Sequence, residues 1–438
     1  MRDLVSWGRY PFSPQSQHQI YWPSELHSYF SVLNKSDGTI LPYGLGRSYG
    51  DSCLADSNNV ISINSMNRIL HVDWNKGVLI AQAGITFSDI ISFILPYGWF
   101  LPVSPGTKFI TLGGAVANDV HGKNHHNSGT FGSFIKRIIL YNSQKGIIEC
   151  SSNNNSDLFA ATIGGLGLTG LILEVEFLLK KVSSSYISQS SYRFDNLDEY
   201  FEISKARDHN NEYAVAWIDC IAKGKSFGRG QYISGNHDEN KSFDEIKLDM
   251  LSIPFKLKFS LVNKFTLKVF NELYFQKQQR KEVLKVLNLD KFFYPLDKIR
   301  NWNLIYGKNG FQQYQCVLPK YCQFDLLKEI LNIIAKSETG SFLAVLKNCG
   351  PKISPGMLSF PLEGVSLALD FPQKKLINKR LFLILDHLVH EAGGRLYPAK
   401  DAHMSAIHFK RAYPRWAEVE KLRDPRILSK FWMRTALG

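Results

Sequence analysis

The densest reactive group in this 438-residue chain is His121-Gly122-Lys123-Asn124-His125-His126. The run is too polar for an ordinary core strand. It follows Pro105-Gly106-Thr107 and Thr111-Leu112-Gly113-Gly114-Ala115-Val116-Ala117-Asn118-Asp119. Glycines in such a stretch let backbone approach a flat or phosphorylated ligand, because no Cβ intervenes. A second loop, Gly44-Leu45-Gly46-Arg47-Ser48-Tyr49-Gly50-Asp51, carries a fixed cation. Its main-chain N–H groups can donate to a diphosphate that Arg47 neutralises. Two such loops suggest one long ligand with a pyrophosphate and a ring system. Neither is a P-loop, since no Gly-Lys-Ser/Thr follows, and the third glycine of a dinucleotide fingerprint is missing. Each glycine taken alone also fits a plain structural turn.

Metal chemistry is disfavoured. Beyond Asp119 no carboxylate or cysteine completes a ligand set around His121, His125 and His126. The six cysteines (Cys53, Cys150, Cys220, Cys316, Cys322 and Cys349) form no C-x-x-C pair. Scattered in a long chain, they are expected to be reduced and buried, and no metal is expected.

The elements that must position these groups read as a mixture. A helix follows Pro23-Ser24, with Ser24 as N-cap and Glu25 in the first turn. Strands are expected at Thr39–Pro42, Val60–Ile63, Gly77–Gly84, Phe134–Tyr141 and Leu171–Leu179. A helix capped by Thr86 should stop before Pro96, and Phe109–Val120 runs as a short helix or turn. Asp157–Thr162 is a further helical turn or two, ahead of the third glycine cluster, Gly164–Gly170. Past a small polar stretch near 181 come strands at Ala214–Ile218, Phe311–Leu318 and Gly364–Phe371, and a helix Lys375–Ala392 ended by Gly393-Gly394. Strands outnumber crossover helices, which argues for α+β rather than a doubly wound sheet. The length predicts two or three domains. The expected division is 1–180 for the loops, 181–393, and a segment 394–438 packing back on the first.

The net charge of +13 favours anionic partners. No zinc finger, RNA-recognition signature or basic arm is visible, so nucleic acid is not expected. Met250–Phe275 mixes apolar residues with Lys256, Lys258, Lys264 and Lys268, and has no acid before Glu272. Such a segment suits a membrane interface, or a core helix with a solvated basic face. No apolar run reaches the roughly twenty residues of a membrane span, and Met1–Trp7 lacks the apolar stretch of a signal peptide. A cytoplasmic, peripherally membrane-associated protein is expected.

The loops Gly44–Asp51, Pro105–His126 and Gly164–Gly170 together resemble the FAD-binding domain of the vanillyl-alcohol-oxidase/p-cresol-methylhydroxylase superfamily. Within it, Gly46–Asp51 and His121–His126 resemble the decaprenylphosphoryl-β-D-ribose 2′-oxidase family. The likeness spans nearly the whole chain, through Trp7-Gly8-Arg9, Gln313-Tyr314-Gln315, Leu358–Pro361, Asp370-Phe371-Pro372 and Gly393–Asp401. The resemblance implies a PCMH-type FAD domain in two subdomains, a substrate domain with an antiparallel sheet, and FAD as cofactor. Pro42, Tyr43, Gly44, Leu45, Gly46, Arg47, Ser48, Tyr49, Gly50, Asp51 and Ser52 would cradle the diphosphate. Gly106, Thr111, Leu112, Gly113, Gly114, Asn118, Asp119, Val120 and His121 would line the flavin, with Ile172 at the adenine side and Tyr397 closing the site. Relatives with covalent flavin often carry a histidine in the first loop; here Tyr49 stands there, which implies noncovalent FAD.

The same resemblance makes Lys400 the leading catalytic residue, with Tyr49 beside it. A buried lysine next to a flavin can stabilise developing negative charge or tune proton transfer. Lys123, Gln315, Lys347 and Ser366 match substrate positions, and Trp217 and Phe293 would supply apolar walls. Lys123 and Lys347 would attract a substrate phosphate. Ser366 and Ala368 replace an Asn and a Cys of the family pattern, so a thiol beside the flavin is lost and sugar recognition altered. The implied reaction is FAD-dependent oxidation of a sugar hydroxyl, at C2′ of a polyprenyl-phosphoryl ribose, giving a keto sugar that a separate NADH-dependent reductase converts to arabinose for cell-envelope glycans. The alternatives are an aldonolactone or alditol oxidase on soluble sugar, and a non-catalytic flavin-binding scaffold.

Overall fold

In the computed structural model, which describes residues 4–35, 38–244, 251–253, 257–337 and 339–438, two antiparallel sheets carry the chain. The first has five strands in the order Ile69–Asp73, Val78–Gln82, Leu171–Leu178, Ile135–Asn142, Gly146–Ser151. Its central strands are rich in Ile, Leu and Val, and Leu79, Ala81, Ile138, Leu140, Val175 and Phe177 are buried. The helix Phe87–Ile94 packs into this core through Phe87, Ile90, Ile91 and Ile94, the spacing of one apolar face. Thr86 caps it and Asp89 reaches back to the Thr86 N–H, so two orphan donors are satisfied at once.

The second sheet has eight strands in the order Glu282–Asn288, Tyr186–Phe194, Gly230–His237, Tyr213–Ile218, Ala344–Cys349, Gly364–Pro372, Phe311–Pro319, Arg395–Leu396. Alternate side chains point to opposite faces. Tyr314 meets Phe382 of the helix Lys375–Glu391, ring centroids 5.3 Å apart. The helix Gln323–Lys336 packs beside it and buries Leu326, Leu327, Ile330, Leu331 and Ile334. Gln313 and Gln315, on either side of Tyr314, face the other way, into a cavity. The α+β class expected from the strand count is borne out.

The last segment returns to the glycine loops. Asp424 Oδ2 accepts from the Ser143 N–H at 2.6 Å, Ile40 bridges Ile427, and the Lys430 N–H donates to the Leu54 carbonyl at 2.8 Å. Arg434 Nη2 reaches both Asp51, at 2.9 Å, and Asp401, at 2.8 Å.

Two expectations need correction. Ser24 is the first residue of its helix, Ser24–Lys35, rather than the residue before it, and the Leu26 N–H bonds the Pro23 carbonyl. The stretch 250–275 is not one amphipathic element. Met250 and residues 254–256, with Lys256, lie outside the described residues. Leu251–Ser252 pairs in parallel with Ile299–Arg300, and the helix is Lys264–Gln276. That helix buries Leu267, Asn271 and Phe275, while Phe265, Val269 and Leu273 project outward beside Lys264 and Lys268. Its solvent face is therefore apolar as well as basic. The six cysteines are free; Cys53 and Cys322 are only half-buried.

Candidate active site

A cavity of about 1520 Å³ runs between the glycine loops and the open face of the eight-stranded sheet. Pockets for one drug-sized ligand occupy about 300–1,000 Å³, so there is room here for a cofactor and a substrate together. One wall is main chain. Among the described residues none accepts from the N–H groups of Leu45, Gly46, Arg47 or Ser48, which leaves a row of donors on the cavity side. Gly46 holds φ +62°, a conformation that favours glycine, and a Cβ there would strike the Tyr43 hydroxyl. Arg47 bends back on its own loop, with Nη1 2.5 Å from the Leu45 carbonyl and its guanidinium 4.4 Å from the Trp7 ring. Thr111 caps the turn of helix Leu112–Ala117 by accepting from the Gly114 N–H. Gly106 has open space where its Cβ would be.

Of the residues expected at the cofactor, Pro42, Tyr43, Gly44, Leu45, Gly46, Arg47, Ser48, Tyr49, Ser52, Gly106, Thr111, Gly113, Gly114, Asn118, Val120, His121, Ile172 and Tyr397 line the cavity. Gly50, Asp51, Leu112 and Asp119 stand behind its wall. Gly50 faces the Asp401 carbonyl, so closely that a Cβ would lie 1.6 Å from its oxygen. Asp51 is turned to Arg434. Leu112 is fully buried in the core. Asp119 takes the Gly132 N–H at 2.8 Å, the Ser354 hydroxyl at 2.5 Å and the Ser359 hydroxyl, so its carboxylate ties loops together instead of facing a ligand.

The opposite wall is side chain. Val215 and Trp217, Val345 and Lys347, Gln313 and Gln315, and Ser366, Ala368 and Asp370 reach it at every second position of four strands. The Trp217 indole donates to the Phe342 carbonyl at 3.0 Å, and its ring lies 4.6 Å from that of Tyr274. Phe293 packs on Tyr213 at 4.8 Å and on Phe100 at 5.2 Å. Lys123 Nζ donates to the Phe292 and Phe293 carbonyls, each at 2.9 Å. All six expected substrate residues line the cavity. Asp370 and Gln313 were missed. Once Ser366 and Gln315 are chosen, the two-residue period of a strand points to both.

Lys400 enters from the last segment. Its ammonium sits 3.5 Å from the centroid of the Tyr49 ring, and the Tyr49 N–H is held by the Ala399 carbonyl at 2.9 Å. Burial lowers the Lys400 ammonium to about 7, against the opposing pull of Asp370. Burial likewise raises Asp370 to about 7, against Gln313 and Lys400. Lys123 falls to about 7 through burial and Lys347, and Lys347 to about 8 through burial. Burial and the cations Lys347 and Lys400, with His125, push His121 well below its ordinary value, so its imidazole is neutral. Burial holds the Tyr49 phenol well above 10; it can donate or seat a cation, but it is no base. His125 and His126 do not line the cavity: His125 Nδ1 accepts from the Gly350 N–H, and His126 bonds the Asn211 carbonyl. Among the described residues no cluster of three or more His, Cys, Asp or Glu could hold a metal ion.

The donors fit a dinucleotide bearing a ring. The loop N–H groups suit a diphosphate. Ser52 Oγ and His121 Nδ1 are buried with no hydrogen-bond partner among the described residues. Gln315 lies 3.1 Å from His121 Nε2; with the amide donating, Nδ1 carries a hydrogen still to be placed. Tyr397 stacks on Phe360 at 4.7 Å and donates to the Asn118 carbonyl, fixing the strip where the ring would lie.

A family model described as an FAD binding domain matches residues 23–151. The chain is 35% identical over 437 residues to a Mycolicibacterium smegmatis protein named decaprenylphosphoryl-beta-D-ribose oxidase, covering 96% of this chain and 94% of that one. It is 25% identical over 207 residues to L-gulonolactone oxidase of Mus musculus, covering 46% of each chain.

Proposed function

The chain belongs to the FAD-dependent oxidoreductase family that includes decaprenylphosphoryl-beta-D-ribose oxidase, and from that premise we propose that it oxidises the C2′ hydroxyl of a polyprenyl-phosphoryl ribose to the ketone. FAD supplies a two-electron acceptor for the hydride that leaves C2′. The chain's own residues do the rest. The amides of 45–48, with the Arg47 guanidinium beside them, would hold the diphosphate noncovalently. The sheet face orients the sugar against the ring, so that the reacting atoms meet in one geometry. Lys400 holds the sugar oxygen as charge develops on it.

The observation that carries this reading is the pair Lys123 and Lys347. Two cations, Lys347 buried and Lys123 partly so, stand in one cavity; desolvation lowers each, Lys347 lowers Lys123 further, and Asp297 opposes that in part. Asp297 offsets Lys123 only in part, and a desolvated cation is costly without a counter-ion. A phosphate supplies that counter-ion, and a free sugar or lactone does not. Relatives named for lactone oxidation align with less than half of the chain.

A lipid tail accounts for the helix Lys264–Gln276. Phe270 and Tyr274 line the cavity, while Phe265, Val269 and Leu273 face out among lysines. Peripheral contact of that face with an anionic bilayer would bring the headgroup to the cavity. Among the described residues no helix is long and apolar enough to cross a membrane. The ketone product requires a separate hydride-donating reductase, using NADH, to become an arabinose.

The experiment is anaerobic mixing of FAD-loaded protein with polyprenyl-phosphoryl ribose, followed at the flavin absorbance. Bleaching is expected in the wild type, and none at comparable concentration with free ribose. Equal bleaching by both would overturn the phosphate reading.

A further inference from the structure

The reaction needs a group that takes the hydroxyl proton, and the cavity offers few. Lys123 Nζ is tied to two carbonyls. The Tyr49 and Tyr306 phenols are held well above their ordinary values by burial, so both stay protonated. His121 Nε2 is engaged by Gln315. Asp51, Asp119 and Asp401 stand behind the wall and are bonded by Arg434, Ser354, Ser359 or Met404. Two carboxylates line the cavity among the described residues, Asp297 and Asp370. Asp297 already accepts from the Lys108 N–H at 2.9 Å.

Asp370 differs. It is fully buried; Oδ1 accepts from Gln313 at 2.6 Å, and Oδ2 has no hydrogen-bond partner among the described residues. Its own N–H is pinned to the Ser341 hydroxyl at 2.8 Å, so the carboxylate is held in place. Lys400 lines the same cavity, with its ammonium over the Tyr49 ring. A buried carboxylate oxygen without a donor is expensive. A substrate hydroxyl entering between Asp370 and Lys400 satisfies it.

We propose that Asp370 Oδ2 is the proton acceptor of the reaction, with Lys400 holding the same oxygen from the other side. This rests on the sugar-hydroxyl reading above. The C2′–H bond breaks and its electron pair would leave as hydride, for which FAD, when bound, would be the two-electron acceptor. The O–H bond breaks and its proton passes to Asp370 Oδ2. The C=O bond forms, the sugar is oxidised by two electrons and FAD is reduced by two. Lys400 donates a hydrogen bond throughout and keeps its proton.

The groups facing Asp370 are Gln313 on the adjoining strand, Tyr49 of the glycine loop, Tyr306, Ser341 and Lys400. Asp370 must be ionised to accept, so the rate rises with pH through about 7. Lys400 must be protonated, so the rate falls as pH climbs through its own value, also about 7. The two limbs belong to the pair, giving a narrow bell.

The test is single-turnover bleaching of the FAD-loaded protein by polyprenyl-phosphoryl ribose across pH. Asp370→Asn should bleach about 10²–10⁴-fold more slowly and lose the rising limb. Asp370→Ala should regain part of its rate in formate, which places a carboxylate in the vacated space. In the resting protein an infrared carboxyl stretch should titrate near 7 in the wild type and be missing from Asp370→Asn. A variant that bleaches at the wild-type rate with the same limb overturns Asp370 alone. Wild-type protein that never bleaches overturns the substrate reading instead. If neither variant retains FAD, the wild type decides: no loss of rate below about 7 and no titrating carboxyl stretch overturn the proposal.

Discussion

The two walls of the cavity are built on opposite principles. At Leu45–Ser48 the wall offers main-chain N–H donors that no described residue accepts from, and side chains such as Asp51 and Asp119 brace the loops from behind. Across the cavity the strands contribute side chains, and Lys347, Gln315 and Asp370 reach in while their backbones pair within the sheet. The first wall can change chemistry little by point substitution, because its donors belong to the backbone. The second can be retuned one residue at a time. A cofactor held in common and a substrate that varies would be expected to divide the site in this way.

Substitution on each wall should therefore fail differently. The largest effect is expected at Lys400, whose ammonium bridges the two. Lys400→Ala removes the cation seated on Tyr49 and should slow anaerobic bleaching by about a thousandfold. It should leave FAD bound, as read from absorbance after gel filtration. A variant that bleaches normally removes Lys400 from the chemistry. One that emerges colourless makes it part of the cofactor wall.

The same contrast governs what was legible in the sequence. The glycine loops announce themselves, because close backbone approach demands glycine at particular positions, as at Gly46. Their bracing residues share that motif, so Asp51, Leu112 and Asp119 read as ligand contacts although they point elsewhere. Local spacing cannot tell which neighbour faces the ligand; that depends on Arg434, Ser354 and Ser359, some 235 to 383 residues away. The sheet wall gives no local motif, since its residues come from strands scattered over 150 positions. Lys400 and Lys347 came from family likeness alone. Asp370 and Gln313 needed one added step, the two-residue period of a strand carried along from Ser366 and Gln315.

The brace behind the cofactor wall should rank second. Arg434 is bonded to Asp51 and Asp401 and donates to the Met404 carbonyl. Burial pushes Asp401 up, but Arg434 and His403 more than offset it and hold it below the usual range. Arg434→Ala leaves the buried Asp51 carboxylate without its cation and Asp401 with His403 alone, at a cost of about 3 kcal/mol. The urea midpoint should fall, and yellow colour should be lost before the sheet unfolds. Arg415→Ala, which breaks the exposed pair with Glu418, should leave the urea midpoint nearly unmoved. Equal losses from the two would mean that the Arg434 cluster is not a brace.

On the side-chain wall, Lys347→Met should raise KM for the phosphorylated sugar about 10- to 100-fold. The maximal bleaching rate should change far less, since a phosphate held equally in ground and transition states affects binding alone. Lys123→Met should act in the same direction but also free the Phe292 and Phe293 carbonyls, so some stability is lost with it. A fall in maximal rate with KM unchanged would shift Lys347 from binding to chemistry.

The smallest effect is expected farthest from both walls, on the outer face of Lys264–Gln276. Leu273 is 67% and Phe265 76% exposed, and neither lines the cavity. Phe265→Ser with Leu273→Ser removes exposed apolar area, about 1–3 kcal/mol of partitioning if a lipid surface covers it. Sedimentation with anionic vesicles should weaken by about tenfold or more, while bleaching by a short-chain, water-soluble substrate stays at the wild-type rate. Lys264→Glu and Lys268→Glu should weaken it further at low salt and converge with the wild type at high salt, because screening removes their contribution. If the serine variant bound vesicles like the wild type, the outward apolar residues would have no part in reaching the lipid, and the basic surface elsewhere would have to carry that contact.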